Sequence, residues 1–462
     1  MKARTPSPDT ICNGAKPTIH FGAARASYSA GMTRKTIFDL PKPIPALAAS
    51  LLLAASAADA KPTADVYGPG WSAVHADPAN SDYHARPGPP DLTLAWSRSF
   101  DGMINLGPTS DGLGRVYVTT SGTGCRLHAL DRDTGRTIWC SDVVERLAVS
   151  SAPLIDRERR LFLGDGSAMR AFDRDGRILW TYPIIGAPLS AQFTPAGDLL
   201  FITHVGVIYI LDRATGKERI APHPLVPDPK FDPADGAIAC MRGLPECPSA
   251  NTPAVDMRSG RFYFTFWTPG KPAAGIRAMR ITPGPNPRLI PEWANDNLPG
   301  GSASSPDLSA DGKRLYLTDN DGSLHTLDAR TGKPLWTLAI GYGSGGSVSL
   351  SPDGLIMPAG GKDAPLLAIA DRGPRGEIVW QNASLNNFGV ATQAAGHRAY
   401  PTVVTGKGTA DILVVDTRNG EVLDREKIPG KPLFTVGTTL DQDGTVYVPT
   451  IRGQLHAFKP AR

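Results

Sequence analysis

With 462 residues, 41% hydrophobic and only 20% charged, the chain has the apolar material for a large core and too little charge for a disordered polymer. Its 49 glycines and 43 prolines argue against a helical bundle and for many short strands joined by turns. A net charge of +4 is too mild for a nucleic-acid surface, which needs unbalanced basic charge beside stacking aromatics.

The first 60 residues read as processing rather than fold. From Met32, Arg34 and Lys35 give a basic start, Ile44 to Ala58 an apolar stretch, and Ala58-Asp59-Ala60 a small-x-small cleavage site. That is the layout of a secretory signal peptide, expected over 32–60. Residues 1–31 carry no periodic pattern and are expected to be a non-native start or a disordered extension. The apolar run is short for a membrane span and nothing later approaches one, so a periplasmic or secreted chain without a transmembrane segment is expected. No Cys lies near Ala60 to carry a lipid anchor.

Beyond Ala60 stand Cys125, Cys140, Cys240 and Cys247. An even count in an exported chain favours disulfides, with three possible pairings. Proximity favours Cys125–Cys140, stapling neighbouring strands, and Cys240–Cys247, closing a loop. Intervals of fifteen and seven residues with no adjacent His pair argue against zinc.

From residue 127 a pattern repeats. LHALDRDTGRTIW (127–139), MRAFDRDGRILW (169–180), IYILDRATGKERI (208–220), LHTLDARTGKPLW (324–336) and ILVVDTRNGEVLD (412–424) each give a strand, a D-x-x-T/N-G-type turn and a second strand. A degenerate copy lies at 276–293. The Asp side chain can accept from amides two or three residues on, and the Gly allows the left-handed turn. The turn residues Gly135, Gly176, Gly216, Gly332, Gly376 and Gly420 lie 41, 40, 116, 44 and 44 residues apart, the gap of 116 reading as two long units around the degenerate copy. A period near 40–45 is that of a four-stranded propeller blade. Trp139, Trp180, Trp293, Trp336 and Trp380 recur at one place and fit packing between blades.

Whole units read as 107–139, 151–180, 190–220, 249–293, 302–336, 346–380, 390–424 and 436–458. The last stops after its third strand. The missing fourth is expected at LTLAW (92–96), with Trp96 in the repeated Trp position, which would close the ring and hide its edges. The expected fold is therefore all-β: an eight-bladed β-propeller over 92–462, closed by an N-terminal strand and preceded by an extended segment at 61–91.

The strand–D-x-x-T-G–strand–W pattern resembles the pyrroloquinoline-quinone (PQQ) type repeat over roughly Trp71 to Pro460. It is similar to the periplasmic propeller scaffold of the outer-membrane β-barrel assembly machinery and, more distantly, to quinoprotein alcohol dehydrogenases. The resemblance specifies a fold and not an activity. The dehydrogenase likeness implies a quinone against a disulfide of adjacent cysteines, a Ca²⁺ held by acidic and Asn side chains, and a catalytic Asp. No two cysteines here are neighbours, and no C-x-x-C-H haem motif occurs. The first strands begin with Thr109, Ser151, Gln192, Asn251, Ser304, Ser347, Thr392 and Thr438, small and uncharged groups poorly suited to a divalent cation.

Other chemistry is weakly signalled. Gly341 to Gly346 match G-x-G-x-x-G in letter, but a strand follows rather than a helix. There is no G-x-S-x-G elbow. His128, His325 and His456 share one slot with Tyr209, Arg170 and Arg277, which marks packing rather than metal binding. His75, before the first strand, fits either a packed segment or a site.

Residues 221–250, a Pro-rich link longer than the others, would emerge opposite the D-x-x-T-G turns, beside the channel mouth. The candidate binding face there comprises Asn105, Gln192, Phe231, Asn251, Asn297, Tyr342, Asn387 and Phe388. The sequence thus favours a monomeric binding scaffold for a protein partner or small ligand, without catalytic, metal or firmly assigned cofactor residues. A PQQ-dependent periplasmic oxidoreductase is the alternative.

Overall fold

The computed structural model describes residues 66–232, 238–249 and 251–461. The expected signal peptide and the tract before it lie outside them. Strands dominate, and the alternation of burial along them explains their order. The middle strands are apolar on both faces: Leu199–Thr203 and Val207–Leu211 are buried throughout, because sheets stack against both sides. Outer strands such as Ile178–Pro183 are half exposed.

The strands form six four-stranded sheets and one ten-stranded sheet, arranged as a propeller. The ten-stranded sheet carries both units expected at 346–380 and 390–424. They are not separate because the strand Gly376–Asn387 runs long enough for Asn386 and Asn387 to pair with Val404 and Val403. Leu92–Ser99 pairs antiparallel with Gln454–Pro460, completing the final sheet from the front of the chain.

Apolar clusters lie between successive sheets. Phe162 and Met169 of one pack with Phe193 and Phe201 of the next; Trp96, Val116 and Leu130 pack with Tyr447 and Leu455 across the closure. The repeated Trp works with the repeated Gly. Gly135 has φ +66°, and a Cβ there would stand 2.6 Å from the Trp96 ring. The Nε1–H groups of Trp96, Trp139, Trp180, Trp293 and Trp380 donate to turn carbonyls of Arg132, Arg174, Arg213, Ala329 and Thr417. Trp336 donates instead to Asp371.

Small polar side chains near the first strands stitch the ring. Thr439 donates to the Pro108 carbonyl, Thr119 to that of Ser151 and Thr252 to that of Leu189. Ser190, Ser305, Ser347 and Thr438 accept from the amides of Ala152, Thr252, Ser305 and Thr392. Gln393 donates to the Ser349 carbonyl. Burying these groups costs little because each is paired. This is why the positions are small, polar and uncharged.

Candidate functional site

One end of the central channel is closed by the chain itself. The carbonyls of Trp71, Ser72, Pro78, Ala79, Ser81 and Asp82 accept from the amides of Ser110, Ile155, Val255, Leu308, Leu350 and Gln393, all on first strands. These amides sit where the first strands turn back, on the side of the D-x-x-T-G turns. Segment 66–82 therefore spans that end as a plug. Asn80, fully buried with φ +62°, donates to the carbonyls of Thr252 and Pro306 and accepts from Gln192. Asp77 accepts from Ala79 N, Ser81 N and Ser81 Oγ, fixing the tight turn.

The other end is open. A recess of about 210 Å³ lies there, and the first-strand starts and the links between sheets line it. Leu106, Leu189, Phe388, Val390 and Phe434 supply apolar wall, and Gly345, Gly346, Gly360 and Gly361 leave backbone bare. The rings of Phe388 and Phe434 lie 5.1 Å apart. His75 of the plug reaches this recess from below.

The described part of the link 221–250 reaches the same recess at Cys240. Its two cysteines are bonded, Cα atoms 5.1 Å apart, and Cys240 lines the wall. Asn320 donates to the Arg242 carbonyl at 2.7 Å and Trp267 N to the Pro248 carbonyl at 2.7 Å, tying the loop to neighbouring sheets. A second bridge joins Cys125 to Cys140, Cα atoms 5.6 Å apart, across the edge of one sheet.

The residues marked in the sequence are divided among several places. Asn105, Asn251 and Phe388 line the recess. Asn387 is buried beside Phe388, its amide bonded to the Pro358 carbonyl. Gln192 holds the plug, donating to Asp77 O and Asn80 Oδ1 and accepting from Tyr67. Phe231 packs against His204, ring centroids 5.3 Å apart. Tyr342 lies in an apolar cluster with Tyr316, Trp336 and Ile356. Asn297 sits on the outer strand Leu289–Leu298, in a shallow groove with His325. His128, His325 and His456 lie on third strands and none lines the recess.

The plug was invisible in the sequence because it binds through backbone carbonyls, which no side-chain pattern records. Only its density of turn formers in WSAVHADPANSD hinted at a packed segment. Two carboxylates, Asp77 and Asp82, belong to the plug, and Asp307 stands on a first strand. Burial raises Asp77 and Asp82, whereas His75 pulls Asp82 back down. Asp307 is held well above the usual range by burial, with Asp82 and Asp77 adding to the effect.

A quinone with a divalent cation does not suit this arrangement. Among the described residues, no Arg, Lys, Asp or Glu lines the recess to pair a tricarboxylate or its cation. Among the described residues no cluster of three His, Cys, Asp or Glu forms a metal site. Both disulfides join cysteines far from adjacent in sequence.

A family model described as outer membrane protein assembly factor BamB matches residues 88–222 and 288–462. Protein Rv3035 of Mycobacterium tuberculosis (strain ATCC 25618 / H37Rv) is 32% identical over 403 residues, covering 85% of this chain and 96% of that protein. The quinoprotein ethanol dehydrogenase of Pseudomonas putida is 30% identical over 161 residues, 28% of this chain and 25% of that enzyme. Among solved structures, BamB from Moraxella catarrhalis superposes with a TM-score of 0.56 at 16% identity, covering 80% of this chain and 99% of its own. The quinohemoprotein alcohol dehydrogenase from Comamonas testosteroni gives 0.59 at 16% identity, covering 85% and 81%. At that identity the likeness carries the fold alone.

Proposed function

The chain belongs to the family described as outer membrane protein assembly factor BamB, and from that membership we propose that it is an exported scaffold binding a partner protein or small ligand in the recess of its loop-bearing face. The observation that carries this reading is the asymmetry of the channel. One end is sealed by segment 66–82, and the other opens as an apolar, aromatic-lined recess beside a disulfide-stapled loop. A concave apolar site with a few polar groups is the usual form of a binding pocket.

Export is supported by the two disulfides. We place cleavage after Ala60, with 61–91 as the N-terminal segment, 92–462 as the propeller, and a monomer as the working form. Among the described residues no helix is long and apolar enough to cross a membrane. Quinone-dependent oxidation is the less favoured reading, because the described lining of the recess holds none of the charged donors it needs.

The test is pull-down from the exported fraction with the wild type, with a Phe388→Ala/Phe434→Ala variant, and with Arg132, Arg174 and Arg330 reversed in charge on the opposite face. Capture is expected to be lost with the first variant and kept with the second. The reverse pattern would put function on the wrong face.

A further inference from the structure

At the floor of the recess three side chains form a chain of hydrogen bonds. Ser305 Oγ lies 3.1 Å from His75 Nε2, and His75 Nδ1 lies 2.8 Å from Asp82 Oδ2. Ser305 and His75 both line the recess, and Ser305 and Asp82 are each only 3% exposed. With Nδ1–H donated to Asp82, Nε2 is the acceptor for the Ser305 hydroxyl. That is the tautomer a base needs beside a nucleophile. Such a constellation is recognised by geometry, not by sequence order. Here the serine and histidine stand 230 residues apart, which is why no motif announced them.

Ser305 shares a structural role with its neighbours. Ser190 and Ser347 occupy the same place, two residues before Gln192 and Ser349 as Ser305 is before Asp307. All three accept a ring amide. Ser305 adds a histidine of the chain's own plug, backed by a buried carboxylate. The Thr252 amide, which donates to Oγ at 3.2 Å, fixes the position of that hydroxyl.

The geometry points to an acyl-transfer site, with Ser305 as nucleophile, His75 as general base and acid, Asp82 as a positioning residue, and a carboxylic ester of a small apolar acyl group as substrate. The walls of Leu106, Leu189, Phe388 and Val390 suit the acyl group, and about 210 Å³ suits a short one. Oγ adds to the ester carbonyl carbon while its proton passes to Nε2. Collapse of the adduct breaks the bond to the alcohol oxygen, which leaves with that proton. Water then adds to the acyl-serine, giving its proton to Nε2, and Oγ recovers a proton as the acid departs. One ester and one water give one acid and one alcohol, with no redox change.

This inference rests on the recess as the point of entry, but not on any partner. The test treats the full mature chain with an alkyl fluorophosphonate and maps the adduct by peptide mass spectrometry, alongside turnover of p-nitrophenyl butyrate. One adduct at Ser305 is expected, and His75→Gln is expected to slow labelling on the order of 10²-fold or more. Asp82→Asn is expected to lower turnover and shift its pH profile in protein that remains folded. Folded wild-type protein that is unlabelled at Ser305 would overturn the assignment and leave the triad as a tie between plug and ring. Partner capture by that same protein would then leave the binding reading intact, whereas labelling without capture would sink the binding reading alone.

Discussion

Trp96 Nε1 donates to the carbonyl oxygen of Arg132 at 2.9 Å, so a strand at the front of the propeller docks on the next turn as Trp139, Trp180, Trp293 and Trp380 do. Trp96 is only 9% exposed and packs beside Tyr447 and Val116. Trp96→Ala is expected to cost about 3–5 kcal/mol through the cavity it leaves. Trp96→Phe, which keeps much of the packing, is expected to cost about 1 kcal/mol for the lost hydrogen bond plus a smaller packing loss. Denaturant midpoints check both, and equal losses would mean that the hydrogen bond dominates.

Asp307 sets a pH dependence. Its folded value is raised by burial, then by Asp82 and Asp77, while the unfolded chain titrates at about 3.9. The folded state therefore holds the proton more tightly, and stability is lost as pH rises from about 4 towards the folded value. Asp307→Asn removes that loss. Its melting temperature is expected to exceed the wild type's at pH 7, with the gap closing below about pH 4. A gap independent of pH would refute this origin.

Two histidines act in the opposite sense. Burial holds His128 and His456 down at about 4, whereas an unfolded His titrates at about 6.5. The unfolded chain then takes protons first, so stability present above about pH 6.5 is lost as pH falls through about 4. The double variant His128→Gln/His456→Gln is expected to melt with a flatter profile between these limits. Thermal scans across that range decide it.

Asn80 secures the plug. Asn80→Ala strips two buried carbonyls and Gln192 of a partner, at about 1–3 kcal/mol, and places a Cβ-bearing apolar residue at φ +62°. Asn80→Gly keeps the backbone freedom and isolates the hydrogen-bond loss. Hydrogen exchange is expected to rise first at the amides of Ser110, Ile155 and Val255, which the plug covers. A uniform rise over all sheets would mean that the segment is no separate unit.

The repeat was legible because each unit repeats its own chemistry. A turn Gly and a docking Trp recur with the blade, so Gly135 could be matched with Gly332, and Trp96 recognised as the missing partner. Cysteine pairs close in sequence could be proposed for the same reason. Side-chain direction was less legible. Gln192 looked like a channel-facing amide, and it does face inward, but towards the plug. Tyr342 sits on a link yet turns into the core, where burial also pushes its phenol up. Two interfaces lack the Trp. The degenerate turn at Gly284 meets no ring, and the strand Val422–Lys427 carries Asp424, which accepts from the Leu92 amide at 2.7 Å.

The pairing of Leu92–Ser99 with Gln454–Pro460 also governs when this protein can be born. Ser97 and His456 touch across 359 residues of chain, so a strand made early must wait for the last. Until then the growing chain exposes two raw sheet edges and an unplugged channel, with loop-closure entropy still to be met. Maturation is expected to be a late, all-at-once event limited by arrival of the C-terminus, and a nascent chain cut short before residue 454 would stay open to proteases and to sticking to its own kind.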